Sequence, residues 1–333
     1  MALRIGINGF GRIGRQVVRA AIDRGAPLEF VAVNDLTDAD TLAHLLRYDT
    51  IHGTWDKASS RAVSGALKVG DRSIQVLCEK EPAKLPWKDL GVQAVLEATG
   101  RFTDRAGGSV HLNAGARNVL ISAPAKGADL TFVFGVNDRD FDPAKHTVVS
   151  IGSCTTNCLA PVAKVLDDTF GIDHGFMTTI HAYTNDQRIL DTPHKDLRRA
   201  RAAAANLIPT STGAAKAIGE VLPQLKGRLD GIAVRAPVVD GSLTDLVCRV
   251  KKPTTREAVN DAMRAASQGP MKGILAYCED PIVSSDVIGD PHSSVFDSLS
   301  TSVLDGSMVK VLAWYDNEWG FSNRVVDALL RMA

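Results

Sequence analysis

A glycine triplet wedged between a strand pattern and a helix pattern constrains this chain more than anything else in it. Gly9, Gly11 and Gly14 spell G-x-G-x-x-G within GINGFGRIG, residues 6–14. Residues 3–8 read as a short β run. From Gly11 to Gly25 the apolar Ile13, Val17, Val18, Ala21 and Ile22 recur at helical spacing, and residues 28–34 (LEFVAVN) form a second strand run. Strand, helix and strand within about 30 residues make a βαβ unit, which commits the chain to a parallel sheet. In that setting the three glycines do different things. The first permits the tight turn, the second lets backbone approach a pyrophosphate, and the third lets helix pack on strand. The helix start then offers unpaired N–H groups and partial positive charge to phosphates.

Asp35 ends the second strand, about 20 residues beyond the turn, where a carboxylate accepts hydrogen bonds from the ribose hydroxyls of NAD and repels the 2′-phosphate of NADP. Neither Leu36 nor Thr37 supplies a cation to offset that repulsion, so NAD is the expected cofactor. The competing role for Asp35 is a helix N-cap beside Thr37, and the two roles are compatible.

Runs at 94–99, 118–122, 131–135 and 147–150 extend the parallel sheet, with helical patterns at 39–47 and 104–116 between them. After residue 150 the texture changes. A helix pattern opens near Cys154, followed by longer alternating or β-branched runs at 175–182, 231–236, 242–250 and 308–315 and a final helix over 318–332. That suits a mostly antiparallel sheet with helices on one face. The expected fold is therefore α/β, with a Rossmann dinucleotide-binding domain over 1–149 and an α+β catalytic domain over 150–317.

Lys plus Arg and Asp plus Glu balance at 38 each across 333 residues, which gives a nucleic-acid partner no electrostatic help. No apolar run approaches the roughly 18–20 residues of a membrane span. The opening MALRIGINGFGRIGRQ carries no basic-then-apolar signal pattern, so the expectation is a cytoplasmic chain without membrane partners. Five scattered cysteines do not make a disulfide framework.

Among those cysteines Cys154 stands apart, in SCTTNC at a strand-to-helix junction, where the helix's positive end favours thiolate over thiol. Cys158 lies one turn further in, and no second cysteine or histidine pair completes a metal set, so no metal is expected. Of eight histidines, His181 is the best-placed base, at the end of a strand run beside a polar turn; a plain core histidine is the competing reading. His111, His146 and His174 read as surface or strand-flank residues. Residues 209–216 (PTSTGAAK) read as a hydroxyl-rich loop entering a helix, a natural phosphate site, with Arg199 and Arg235 placed to add guanidinium forks.

Taken together these stretches resemble the phosphorylating glyceraldehyde-3-phosphate dehydrogenase family. The resemblance runs from INGFGRIGR through SCTTNCLAP, HAYTNDQ, PHKDLRRARAA and IPTSTGAAKA to WYDNEWGFSNRV at 314–325. It implies NAD-dependent oxidation of glyceraldehyde 3-phosphate, with inorganic phosphate cleaving a Cys154 thioester to 1,3-bisphosphoglycerate. By the same resemblance Cys154 is the nucleophile and His181 the base. Gly9, Gly11, Arg12, Ile13, Gly14, Asp35, Lys80, Thr99, Ser122 and Asn317 would hold the cofactor. Ser153, Thr155, Thr184, Arg199, Thr212, Gly213 and Arg235 would serve the two phosphates. It also implies a homotetramer, in which the segment around 183–205 faces a neighbouring subunit, and a last helix, 318–333, that packs back on the first domain.

The chain departs from the family's common pattern at Ile151-Gly152, where Asn-Ala is usual, at Thr192-Pro193, which keeps the proline of the NAD forms without their leucine, and at Phe321, in place of a frequent tyrosine. Two rival readings remain at this stage. One is erythrose-4-phosphate dehydrogenase, which gives its thioester to water; the intact Thr210-Ser211-Thr212-Gly213 argues against it. The other is a binding role on RNA or a cell surface.

Overall fold

The structure, a computed structural model, describes residues 2–333. They divide into two compact units. One comprises residues up to Phe132, Asp140–Gly152 and Ser322–Ala333; the other comprises Val133–Arg139 and Ser153–Phe321.

In the first unit eight strands form one sheet: β1 (Leu3–Asn8), β2 (Leu28–Asn34), β3 (Ala66–Val69), β4 (Arg72–Leu77), β5 (Ala94–Glu97), β6 (Asn118–Ile121), β7 (Leu130–Thr131) and β8 (Val148–Ser150). Their order is β3-β4-β2-β1-β5-β6-β8-β7, parallel throughout except for the β3/β4 hairpin. Three helices belong here, α1 (Arg12–Asp23), α2 (Ala39–Arg47) and α3 (Arg105–Asn113). From β1 the chain runs outward through β2 on one side and resumes at β5 on the other. The strand order therefore reverses between β1 and β5, and the crevice at their carboxyl ends is where such sheets take ligands.

Two expectations fail in this unit. The run 131–135 is not a strand: only Leu130–Thr131 pairs with β8, and the chain then turns. The side chains of Asn137 and Asp138 accept the N–H groups of Val133 (2.9 Å) and Gly135 (2.9 Å), local bonds that replace a ladder. Val133–Arg139 consequently clusters with the second unit rather than falling inside a 1–149 block. Asp35 also does not cap α2. The cap is Asp38, whose carboxylate accepts from the Thr41 N–H at 2.9 Å.

The second unit contains α4 (Cys154–Phe170), β9 (Ile172–Ala182), β10 (Ile208–Ser211), α5 (Ala214–Val221), β11 (Leu229–Ala236), β12 (Ser242–Val250), α6 (Arg256–Gln268), β13 (Leu275–Cys278), β14 (Ser294–Leu304) and β15 (Met308–Tyr315). The sheet order is β10-β11-β9-β12-β15-β14-β13, antiparallel except at β11/β9 and β13/β14. One face is covered: Leu159, Val162 and Leu166 of α4, Ile218 of α5 and Val259 and Met263 of α6 pack with Met177, Leu246, Phe296 and Val311 from the strands. The sheet's other face leaves Phe176 and Ile232 exposed. A last helix, α7 (Trp319–Arg331), begins in this unit, and from Ser322 onward it belongs to the first, where Arg24 pairs with Asp327 at 2.5 Å and donates to the Asn323 carbonyl at 3.1 Å.

Candidate active site

At the reversal point of the first sheet the glycine turn follows from backbone geometry. Gly9 has φ +93°, and a Cβ there would lie 2.6 Å from the Thr99 nitrogen. A Cβ on Gly14 would lie 2.5 Å from the Gly9 carbonyl oxygen, so this glycine lets α1 close on the turn. Gly11 is different: a Cβ would meet nothing within 4 Å. Its bareness serves no packing need of the chain, as expected where a ligand's pyrophosphate comes close to backbone.

Asp35 supports the same turn. One carboxylate oxygen accepts from the Phe10 N–H at 2.8 Å and the other from the Leu36 N–H at 2.7 Å. Asn8, Gly9, Gly11, Asp35, Thr99 and Arg101 are among the residues lining a cleft of about 230 Å³. A glycine cradle at a helix start, with a carboxylate at the rim of such a cleft, fits a dinucleotide. Lys80 is exposed and does not line that cleft; its neighbour Glu79 does. Ser122, at the end of β6, donates its hydroxyl to the Glu97 carbonyl at 3.1 Å, and Ile13 is half-buried at the start of α1.

Arg12 forms a fork to Asp49 (2.5 and 3.2 Å). Burial raises the Asp49 carboxyl, but Arg12 and the N–H groups of His52 and Ile51 outweigh it and hold the group at about 2.

Beneath the cleft lies a polar cluster that the sequence reading missed. Glu97 is buried and accepts from Asn8 Nδ2 (2.7 Å), the Thr99 N–H (2.8 Å), the Thr99 hydroxyl (2.5 Å) and His111 Nε2 (3.0 Å). His111 is therefore no surface residue: it is fully buried, and its Nδ1 accepts from Trp87 Nε1–H at 3.1 Å.

In the second unit one row of the sheet builds the reactive site. Parallel pairing sets Arg235 of β11 beside His181 of β9, and antiparallel pairing sets Ser242 of β12 beside Tyr315 of β15. Helix α4 packs on the same face and starts at Cys154, with Ser153 as its N-cap accepting from the Thr156 N–H at 3.0 Å. Cys154 Sγ lies 3.4 Å from His181 Nε2. Tyr315 frames both: its hydroxyl meets Thr155 Oγ1 at 2.8 Å and Thr179 Oγ1 at 2.9 Å, and its ring stands edge-on to the imidazole.

At Cys154 burial opposes what the helix start and a cationic neighbour do to favour the thiolate. It pushes the thiol up to about 11, only partly opposed by the positive charge of Arg235 and by the Thr155 N–H. Burial likewise pulls His181 down to about 3, and Arg235 adds to that. Taken singly, both groups are neutral. At 3.4 Å they exchange protons as a pair, because opposite charges formed together offset each other's loss of water.

The expected anion ligands divide into those the fold gathers and those it assigns elsewhere. Arg199 donates to Thr210 Oγ1 (2.9 Å) and the Ser211 carbonyl (3.3 Å), and it forms an ion pair with Asp186. Thr210 and Ser211 are not in a loop, as expected, but in edge strand β10 paired with β11. Thr212 accepts from the Ala214 N–H at 3.2 Å, and Gly213 precedes the first turn of α5 with open space where a Cβ would be. Thr184 is exposed beside Gln187, whose amide oxygen accepts the Thr184 N–H at 3.2 Å. The Ser153 hydroxyl accepts from the Thr156 N–H as the helix cap, a role that leaves it able to donate its own hydrogen. Thr155 is buried with its hydroxyl on Tyr315, so its side chain frames the thiol rather than meeting an anion.

Ser242 was also missed. Its Oγ accepts from the Ala182 N–H (3.1 Å) and donates to Asn317 Oδ1 (2.5 Å), which leaves the Asn317 amide hydrogens to face a ligand. The alternation that puts Thr179 and His181 on one side of β9 could have found Thr179. Nothing local marks Ser242.

Known proteins match this chain over nearly its whole length. The family model described as "Glyceraldehyde 3-phosphate dehydrogenase, NAD binding domain" matches residues 3–105, and that described as "Glyceraldehyde 3-phosphate dehydrogenase, C-terminal domain" matches residues 153–317. The glyceraldehyde-3-phosphate dehydrogenase 2 of Streptomyces avermitilis is 59% identical over 98% of this chain and 97% of its own length. The glyceraldehyde-3-phosphate dehydrogenases of Streptomyces coelicolor and Geobacillus stearothermophilus are 60% and 58% identical, each over 98% of this chain and 97% of their own.

Proposed function

We infer, for a chain that belongs to the glyceraldehyde-3-phosphate dehydrogenase family, that it oxidises glyceraldehyde 3-phosphate with NAD and inorganic phosphate to 1,3-bisphosphoglycerate, reversibly. The observation that carries the assignment of residues is the 3.4 Å approach of Cys154 Sγ to His181 Nε2 at the start of α4, with Arg235 alongside.

In this reading the Cys154 thiolate attacks the aldehyde carbon, and His181 Nε2 protonates the resulting alkoxide. Bound NAD would supply the acceptor for the hydride that leaves this carbon. His181 removes the hydroxyl proton as it goes, and the carbon becomes a thioester on Sγ. An oxygen of inorganic phosphate then attacks the thioester carbonyl, the C–S bond breaks and the thiolate returns. Arg235 and Thr184 serve the substrate's phosphate. Ser153, Thr212, Gly213 and Arg199 serve the attacking phosphate. Gly9, Gly11, Gly14, Asp35 and Thr99 hold the cofactor, and Asn317, oriented by Ser242, takes the nicotinamide carboxamide.

The chain works as a homotetramer in the cytoplasm. What supports the assembly is exposed apolar surface: Ile189, Leu190, Leu197 and Leu207 are 87%, 72%, 81% and 68% exposed, and Phe176 and Ile232 lie bare on the open face of the second sheet. No helix among the described residues is long and apolar enough to cross a membrane.

Phosphate dependence tests the reaction. NADH formation from glyceraldehyde 3-phosphate should require inorganic phosphate, and sustained turnover without it would mean that water takes the thioester. Light scattering after size exclusion should give four times the monomer mass.

A further inference from the structure

The cofactor cleft lies across the carboxyl ends of four neighbouring strands, β4, β2, β1 and β5, where the backbone ladders stop. A line of side chains carries on from them. Asn8 of β1 stands in register with Glu97 of β5 on one side and Asn34 of β2 on the other. Asn8 Nδ2 donates to Glu97 Oε2 at 2.7 Å. Asn34 Nδ2 donates to Asn8 Oδ1 (2.8 Å) and to the Glu79 carbonyl (2.9 Å), and the Glu79 N–H, just beyond β4, donates to Asn34 Oδ1 (2.8 Å). From the opposite side His111 Nε2 lies 3.0 Å from Glu97 Oε2, and its Nδ1 lies 3.1 Å from Trp87 Nε1.

This line ends at both sides in a group that can only donate, a backbone N–H and an indole N–H. The Glu79 N–H fixes the Asn34 amide, whose oxygen must face it. Asn34 then offers Asn8 a hydrogen, so Asn8 has only a hydrogen to offer position 97. On the other side the Trp87 N–H makes Nδ1 of His111 an acceptor, which puts the ring hydrogen on Nε2, toward Glu97. Oε2 therefore accepts from two directions, while Oε1 accepts the N–H and the hydroxyl of Thr99. Those bonds fill the roughly four lone-pair sites of a carboxylate, so Glu97 keeps none for a ligand.

We propose that Glu97, clamped by His111, is the positioning residue of the cofactor cleft, holding Asn8 and Thr99 on either side of the glycine turn at the spacing NAD needs before NAD arrives. This rests on the reading of that cleft as the cofactor site. Glu97 works through its partners: it is buried, whereas Asn8 and Thr99 line the cleft. The turn sits between those two. The Gly9 N–H donates to the Asn34 carbonyl at 2.8 Å, the Ala98 N–H donates to the Asn8 carbonyl at 2.7 Å, and Gly9 abuts the Thr99 backbone. Movement of Asn8 against Thr99 would carry the turn with it, and with the turn the helix start that faces the pyrophosphate.

Glutamine at position 97 has the size of glutamate and the wrong hydrogens. In either orientation its NH2 faces a donor that cannot turn away, Asn8 and His111 on one side or the Thr99 N–H on the other. The test is Glu97→Gln in the full-length protein, by titration calorimetry with NAD and by steady-state kinetics. The Kd and KM for NAD should rise at least about tenfold, the size of one charge-assisted hydrogen bond. The kcat and the KM for glyceraldehyde 3-phosphate should not change, because an interaction made equally in ground and transition states moves the NAD term alone. His111→Phe should weaken NAD binding in the same direction. His111→Gln, with an amide oxygen for Trp87 and an amide hydrogen for Glu97, should lose less.

A folded Glu97→Gln that binds NAD as wild type, while Gly11→Ala binds it more weakly, overturns this proposal and leaves the cleft reading intact. NAD affinity unchanged in both variants overturns the cleft reading and the proposal with it. A fall in kcat at unchanged KM for NAD also overturns it. Where the variants do not fold, neutron diffraction from deuterium-exchanged crystals of the wild-type protein decides. Deuterium should sit on His111 Nε2 and on Asn8 Nδ2 toward Glu97. A deuteron on His111 Nδ1 or on the Glu97 carboxylate overturns the proposal.

Discussion

Replacing Asp35 by asparagine separates what this carboxylate does for the fold from what it does for the cofactor. Two of its roughly four lone-pair directions are already used, by the Phe10 N–H at 2.8 Å and the Leu36 N–H at 2.7 Å. The amide oxygen of asparagine can keep the Phe10 bond, but its NH2 cannot accept from the exposed Leu36 N–H, which turns to water, so the glycine turn should survive with about 1–3 kcal/mol lost. Toward the cofactor the change is larger. Each hydrogen bond from a ribose hydroxyl to a carboxylate contributes about 1.5–3 kcal/mol. A 2′-phosphate carrying nearly two charges at ~4 Å from a carboxylate is repelled by about 2 kcal/mol even at the dielectric constant of water. Losing one such bond and that repulsion together moves the preference by about 3.5–5 kcal/mol, or about 400- to 5,000-fold in the ratio of kcat/KM for NAD to that for NADP. Both cofactors would be assayed at fixed glyceraldehyde 3-phosphate and phosphate, with thermal melts of the same samples. An unchanged ratio alongside an unchanged melt would refute the reasoning, since the charge would then be gone without consequence. A lowered melt with an unchanged ratio would reduce Asp35 to a brace for the turn.

The glycines can be told apart in the same way. Gly9→Ala forces a side chain into positive φ and to within 2.6 Å of backbone, so it should cost at least about 3 kcal/mol in chemical denaturation. Gly11→Ala meets nothing and should fold as wild type while weakening NAD binding in titration calorimetry. Tyr315→Phe leaves two buried hydroxyls, those of Thr155 and Thr179, without their shared partner; stability should fall by about 1–3 kcal/mol and kcat by more than KM changes. Asp49 gives a pH signature. Its folded pKa, about 2, lies below the ordinary carboxyl value, so its contribution is full above about pH 4 and is lost as pH falls through 2. That contribution is about 2 kcal/mol, and urea unfolding of Asp49→Asn should lack this acid-side loss.

How much of this was legible in the residues depends on how far apart in the chain the partners lie. The β1-α1-β2 unit with its three glycines occupies about thirty consecutive residues, and Cys154 sits at a local strand-to-helix junction; in both cases the signal and its cause are neighbours. The segment 131–135 misled because its apolar residues are those of a strand, while the decision lay with two polar side chains four and three residues on, Asn137 and Asp138. The same competition hid the cap of α2: Asp35 and Asp38 are equally good capping residues, and only the actual first turn, at Ala39, chooses between them. Glu97 and His111 gave no sign because an acidic residue at a strand end is ordinarily solvated. What buries the pair is the convergence of Asn8, Thr99 and Trp87 on them from other elements.

The reactive row shows why such information is distributed. His181 alone is a histidine at a strand end, and Arg235 alone is an arginine at another. Their meeting at 2.7 Å follows from the parallel register of β11 on β9, a pairing with no local signature across more than fifty residues. Register in a buried sheet is set by which faces are apolar, since a slip of one residue would turn Met177, Leu246 and Val311 out of the core and Phe176 and Ile232 into it. The chemistry is thus specified by the packing of residues that take no part in it: the alternation that buries Met177 also turns Thr179 and His181 toward α4. A core substitution on this face that shifted β9 against β11 would be expected to separate Arg235 from His181 before it disturbed Cys154, whose position α4 and its Ser153 cap hold independently.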